Sequence, residues 1–500
     1  MIIILAEKKT ARLSYILHHV FEVMLGMPYR LCTDPSELES LEFGAQEGIA
    51  AEGAMRRNAL PEGVTRNGAG QKGVSQKDAM RECADEGALQ EGVAHEVAVQ
   101  AAVLNYTANW RPDALFMPPH PLLFEEEVHA LPVSLVDGHE GKICFPVTHP
   151  QADVEMDVFA ACFYFLSRYE EYLHFTPDGH GRFRPEESVA FRGGCLQQAL
   201  VDRWVDGLKK LLQQRFPQLV FPERKAIFTP TYDIDVAFAF KCRSWAVRCG
   251  AALKSLLKAD FKSLRLRRRV LSGAVEDPYD VYGRLAQWHE TYRLNPLFFI
   301  LSAPRSTYDR GLSPKNRDFA LWLGQLAAQY RVGIHFSYIS AAHPVARMRQ
   351  ELELLSALTH REMTANRFHY LHFRLPDAYK KLVGCGIKDD YSMGFVSQAG
   401  FRAGSCTPFA FFDLLSNTAT DLKVHPLLFM ENALPAHQTA EEWWEMVRPL
   451  LEETLRYGGE AVSLFHNQSF GSMAENAEKY TELYLKIINY LQSGGAHSSD

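Results

Sequence analysis

Short apolar runs that end in Asp or His recur along the second half of the chain. Ala226-Ile227-Phe228 leads into Thr231-Tyr232-Asp233-Ile234-Asp235, Val332-Gly333-Ile334 ends in His335, and Ala461-Val462-Ser463-Leu464-Phe465 ends in His466. Runs of this length read as buried strands, and in a sheet of parallel strands the ends where strands give way to loops are where active sites are built. Leu297-Phe298-Phe299-Ile300-Leu301 is a further buried strand, and the stretch from Asp318 to Tyr330 is an amphipathic helix with Phe319, Trp322, Leu323 and Leu326 on one side. This alternation of strand and helix predicts a parallel (β/α) barrel.

The first half reads differently. Met1 to Ala6 is a first strand; Leu13, Ile16, Leu17, Val20, Phe21, Met24 and Leu25 recur at helical spacing; Gly26 and Pro28 stop that helix before the extended run Tyr29-Arg30-Leu31-Cys32. This β-α-β opening carries no glycine-rich phosphate loop, which leaves a nucleotide-binding reading without support. From Glu42 to Val99 the composition turns to Gly, Ala, Glu and Gln with almost no aromatics. Such a stretch buries too little apolar surface to offset its ordering entropy, so a flexible insertion is expected at about 42–99. Order resumes at Val103-Leu104-Asn105-Tyr106, and Met156 to Leu173 and Leu196 to Arg215 read as helices. Arg168 with Glu170 and Glu171, inside a mostly apolar helix, reads as a structural salt bridge to the neighbouring domain ahead of a binding site. The expected organisation is a smaller α/β domain over 1–221, a barrel over 222–492 and a disordered tail over 493–500.

Composition narrows the function. At 500 residues and 47% hydrophobic the chain can bury a large core. A net charge of −7 gives no argument for a nucleic-acid partner, and no apolar run is long enough to cross a membrane. The N-terminus lacks a basic leader and its apolar run is short for a signal peptide, which makes the cytoplasm the expected location. Nine cysteines without a CxxC pair read as small core residues. One stretch departs from the acidic balance: Lys241 to Val270 is rich in Lys and Arg, including Arg265, Arg267, Arg268 and Arg269. It reads either as a solvated helical excursion from the barrel or as a contact for an anionic glycan, a lipid-linked sugar or a membrane surface.

The chemistry centres on Asp233 and Asp235. Residues two apart point to opposite faces of a strand, but the bend at a strand end lets both carboxylates converge on one ion. The competing reading is that either Asp caps the segment that follows. The segments TYDIDVAFAF, GIHFSYIS, RFHYLHFRLP, DDYSMGF, GFRAGSCTPF and SLFHNQS resemble the polysaccharide deacetylase-like proteins of Bacteroidetes, a divergent branch of the NodB-homology, carbohydrate esterase family 4-like superfamily. That resemblance implies a distorted (β/α) barrel and a metal-dependent N-deacetylase acting on an N-acetylated sugar or glycan precursor. The implied cofactor is a divalent metal, with zinc the expected ion.

Carried over by position, the resemblance makes Asp233 the general base, Asp235 and His335 metal ligands, and His466 the general acid. Where it calls for a second His, four residues after His335, stands Ile339. His343 lies a further turn away, and His369 is taken as the third ligand. Asp389 and Asp390 are expected to orient the catalytic residues. Arg367, Asp390, Tyr391 and Arg402 are expected to contact substrate, and Tyr232, Phe336, Tyr338 and Tyr391 suit stacking on a sugar ring. The alternative function, favoured by Ile339, is a catalytically silent barrel that binds a glycan or a protein partner.

Overall fold

The computed structural model describes residues 1–34, 36–37 and 102–495. The insertion expected at 42–99 and residues 496–500 of the expected tail lie outside the described residues. Residues 1–33 pack with those from 102 onward as one unit. Its first sheet holds β1 (Ile2–Ala6), β2 (Tyr29–Cys32), β3 (Ala102–Tyr106) and β4 (Leu115–Phe116) in the order β2-β1-β3-β4, all parallel. A small antiparallel pair follows, β5 (Val136–Gly138) with β6 (Gly141–Ile143).

The expected barrel is present and closed. Seven parallel strands, β7 (Ile227–Ile234), β8 (Leu297–Ile300), β9 (Arg331–Phe336), β10 (Ala365–Phe368), β11 (Asp389–Met393), β13 (Thr418–Met430) and β14 (Glu460–His466), pair in that order, and β14 returns to β7. Between β11 and β13 in the chain, β12 (Phe409–Asp413) lies antiparallel on β13 outside the ring. Helices cover the outside, so strands such as β8 and β14 are buried on both faces and read as continuous apolar runs. Local chemistry sets the helix starts: Asn316 accepts from the Phe319 amide at the head of Arg317–Gln329, and Thr439 with Glu442 forms a capping box on Ala440–Tyr457.

The helix expected over 156–173 is shorter than its apolar pattern. Val158–Leu166 is helical with all nine residues buried, and Arg168, at φ 53°, breaks it before a 3-10 turn at Tyr169–Tyr172. The break turns Arg168 onto Glu171, and Glu171 also takes two bonds from Arg402, at 2.6 and 2.9 Å, all three side chains being buried. Phe163 packs edge-on against Phe412 of β12 at 5.1 Å.

Candidate metal centre

Period-two alternation on β7 sends Thr231 and Asp233 into the barrel, while Tyr232 points out to His289 and Tyr484 on the covering helices. Asp235 lies one residue past the strand, and the bend there brings both carboxylates to one place. His335 Nε2 stands 3.6 Å from Asp233 Oδ2 and 3.3 Å from Asp235 Oδ1. His369 follows β10, the strand paired to β9, so the register Phe336 to Phe368 sets it beside His335. Its Nε2 is 3.5 Å from Asp235 Oδ2. His466 ends β14 opposite Asp233, and its Nε2 is 3.6 Å from the same Asp235 oxygen.

Each imidazole is held from behind. His335 Nδ1 donates to the Arg367 carbonyl at 2.8 Å, His369 Nδ1 pairs with Asp309 at 2.9 Å, and His466 Nδ1 pairs with Glu431 at 2.6 Å. Such partners fix ring orientation, so the three Nε2 atoms point toward Asp235. Burial raises the Asp235 carboxyl, but His369, His335 and His466 outweigh it and hold the group well below the usual carboxylate range. Burial alone would lower His466 and His369. Glu431 and the two site aspartates push His466 up to about 10, and Asp235 with Asp309 pushes His369 up to about 9.

The donor set fits a divalent ion. Asp235, His335 and His369 each offer an atom within 4.8 Å of the others, and the buried His335 Nε2 and Asp235 Oδ1 have no hydrogen-bond partner. Neighbouring donors of a tetrahedral zinc with bonds of roughly 2.0–2.1 Å lie about 3.3–3.4 Å apart. The Asp235 contacts to His335 and His369, at 3.3 and 3.5 Å, are close to that spacing. Three protein donors leave a position for water or substrate, as in catalytic sites. Ile339 lies on the short Tyr338–Ala342 helix.

Four of the expected substrate contacts are placed elsewhere. Arg367 is fully buried beneath Asp233, donating to Thr231 Oγ1 at 2.6 Å and Asp233 Oδ1 at 2.9 Å, so it positions the carboxylate. Asp390 takes bonds from Asn366, Tyr379 and Ser392, and Tyr391 fills the barrel interior, stacked on His425 at 4.1 Å. Asp390 and Tyr391 are the second and third of the five residues of β11, short of the strand end. Arg402 is committed to Glu171. The orienting role expected of Asp389 and Asp390 falls to other acids: Asp389 pairs with His425, whereas Glu431 and Asp309 hold the site imidazoles. Glu431 ends the apolar run Pro426 to Met430 and carries the same signature as Asp233. Asp309 lies in a loop with no such signal.

Of the four aromatics expected to stack on sugar, Tyr232, Phe336 and Tyr391 are core residues. Tyr338 belongs to a rim beside His369. Its ring lies 4.2 Å from that of Tyr308 and 3.9 Å from that of His372, and Tyr308 and Tyr370 stand about two-fifths exposed. The Asp178–Arg182 turn adjoins this rim, with His180 bonded to the Tyr338 hydroxyl and Arg182 to the Tyr370 carbonyl.

Fold and site together define a parallel barrel whose strand ends gather an Asp-His-His donor set flanked by a second Asp and a third His. Residues 88–217 match a family of unknown function, DUF7033. No curated protein matches the chain. Among solved structures it is similar to a candidate polysaccharide deacetylase from Mycobacterium smegmatis, at 14% identity and TM-score 0.34 over 54% of this chain and 86% of that one. It is also similar to a polysaccharide deacetylase from Bacillus cereus, at 10% identity and TM-score 0.26 over 56% of this chain and 94% of that one. A CE4 family pseudoenzyme from Bacillus anthracis is matched at 10% identity and TM-score 0.26, over 54% of this chain and 62% of that one. With TM-scores this low, the barrel and the donor set are read from the chain's own strands and side chains.

Proposed function

We propose that the chain is a metal-dependent N-deacetylase of an N-acetylated sugar or glycan precursor. The observation that carries this reading is the convergence of three back-held imidazoles, those of His335, His369 and His466, on Asp235, with Asp233 beside them. A divalent ion, with zinc the expected one, would be held by Asp235, His335 and His369 and would supply Lewis acidity toward an acetamide carbonyl and toward water. Arg367 occupies Asp233 Oδ1 and leaves Oδ2 turned to the site, where it takes a proton from the attacking water. His466, kept protonated by Glu431, gives a proton to the departing nitrogen as the carbon–nitrogen bond breaks and acetate is released. The exposed Tyr308 and Tyr370 rings suit stacking on a sugar face.

The test separates holding the ion from moving protons. Asp235→Ala and His335→Ala are expected to lose bound metal by elemental analysis. Asp233→Asn and His466→Ala are expected to keep it while acetate release falls by about a hundred- to ten-thousand-fold. If the metal-loaded wild type releases no acetate from a broad panel of N-acetylated saccharides, the silent-barrel reading replaces this one.

A further inference from the structure

Between Lys241 and Gly273 the chain carries ten Lys and Arg residues against one acid, Asp260, in a protein whose net charge is −7. The segment folds as two helices, Trp245–Leu257 and Phe261–Leu271, of which the first has no buried residue. Trp245, Leu253, Leu256, Leu257 and Phe261 are each at least 60% exposed. On a helix, Trp245, Leu253, Leu256 and Leu257 share one face, and Phe261 opens the next helix after a short turn. On the second helix Lys262, Arg265, Arg268 and Arg269 are exposed at a spacing that also gathers them on one face. Isolated exposed leucines need no explanation, but a contiguous bulky apolar stripe bordered by basic residues does.

We propose that this hairpin binds the surface of an anionic lipid bilayer, the apolar stripe entering the headgroup boundary and the basic residues meeting lipid phosphates. Charge complementarity selects this occupant. An aqueous polyanion would satisfy the arginines and leave Trp245, Leu257 and Phe261 in water, whereas a bilayer uses both. The element lies on the bilayer: among the described residues no helix is long and apolar enough to cross one. Both ends of the hairpin are fixed at one place, because Asp277 accepts from the amides of Ala239, Phe240 and Lys241. That place follows the end of β7 that carries Asp235, so docking turns the site end of the barrel toward the membrane. Resting on the deacetylase reading, the substrate class this implies is an N-acetylated glycan anchored in or displayed on that membrane.

The test is cosedimentation of the full chain with vesicles of phosphatidylcholine alone and with added phosphatidylglycerol, at low and high salt. The full chain is expected to sediment with the anionic vesicles only, and less at high salt. Changing Trp245, Leu256, Leu257 and Phe261 together to Ser should abolish sedimentation with unchanged far-UV circular dichroism. Replacing Arg265, Arg268 and Arg269 by Gln should weaken binding by roughly fivefold for each charge removed. Absence of binding to anionic vesicles overturns the proposal. So does binding that the Ser variant retains while single-stranded RNA competes for it, which makes the surface a polyanion site. Concentration-dependent dimers in sedimentation velocity that the Ser variant loses would assign the stripe to a second copy. None of these readouts depends on acetate release, so failure here leaves the catalytic reading standing.

Discussion

At the scale of single residues, the site is governed by what stands behind each imidazole. Glu431 is completely buried and accepts from the His466 amide, from His466 Nδ1 and from the Ser469 hydroxyl. Its charge is the main cause that lifts His466 to about 10 against burial. Glu431→Gln keeps the shape and removes the charge, so the folded pKa of His466 should fall. A general acid works in its protonated form, and the wild-type ring stays protonated as pH rises through neutrality and beyond. In the variant the alkaline limb of the kcat profile should therefore move to lower pH, with a loss of about ten- to hundredfold at mildly alkaline pH. Bound metal should be unchanged. An unaltered alkaline limb would separate His466 from proton transfer.

At the scale of elements, strands that end in a charged or imidazole side chain were legible because burial on both faces leaves polarity only at the ends. Asp233, Asp235, His335 and His466 were found by that contrast, and Glu431 carries it too after Met430. His369 needed the pairing of β9 with β10, which the sequence does not print. Arg367, Asp390 and Arg402 lack that contrast, because a polar residue inside a motif does not announce which layer it faces; Arg367 turns inward beneath the site, and the other two pair within the core. The register of β9 makes its own prediction. A Cβ at Gly333 would lie 2.7 Å from the Phe299 ring and 2.8 Å from the Ala365 carbonyl. Gly333→Ala must push neighbouring strands apart, at a cost of about 1–3 kcal/mol, and it does so two residues before His335. Urea unfolding should show that loss together with weaker zinc retention in a competition with chelator. Zinc affinity equal to wild type would mean that the end of β9 moves independently of its middle.

At the scale of the whole molecule, the first sheet, its helices and the barrel share one core, and two histidines buried in it contribute to its response to acid. His19 lies between the opening helical segment and β12, near Phe409, with Nε2 unpartnered; burial, then Arg224 and His18, lowers it to about 3. His289, on the covering helix Tyr282–Thr291, packs between Tyr232 and Tyr330, and burial lowers it to about 4. In the unfolded chain both rings titrate near 6.5. Their folded values are depressed, so the unfolded state binds the extra protons. The stability tied to these rings is full above pH 6.5 and is lost as pH falls from there toward 4 and 3. Each ring steepens the acid limb by about 1.4 kcal/mol per pH unit within that window. Asp157 acts in the opposite sense: burial raises its carboxyl to about 6, so protonation below that pH relieves part of the loss. A difference measurement isolates one ring. His19→Leu removes a group that must stay neutral and fills its apolar site, so its stability relative to wild type should improve by about 2 kcal/mol between pH 7 and pH 5. Urea unfolding of both chains at the two pH values, with chelator present, reads this directly. If the gap between them is the same at pH 5 as at pH 7, His19 titrates no differently in the folded protein than in the unfolded chain.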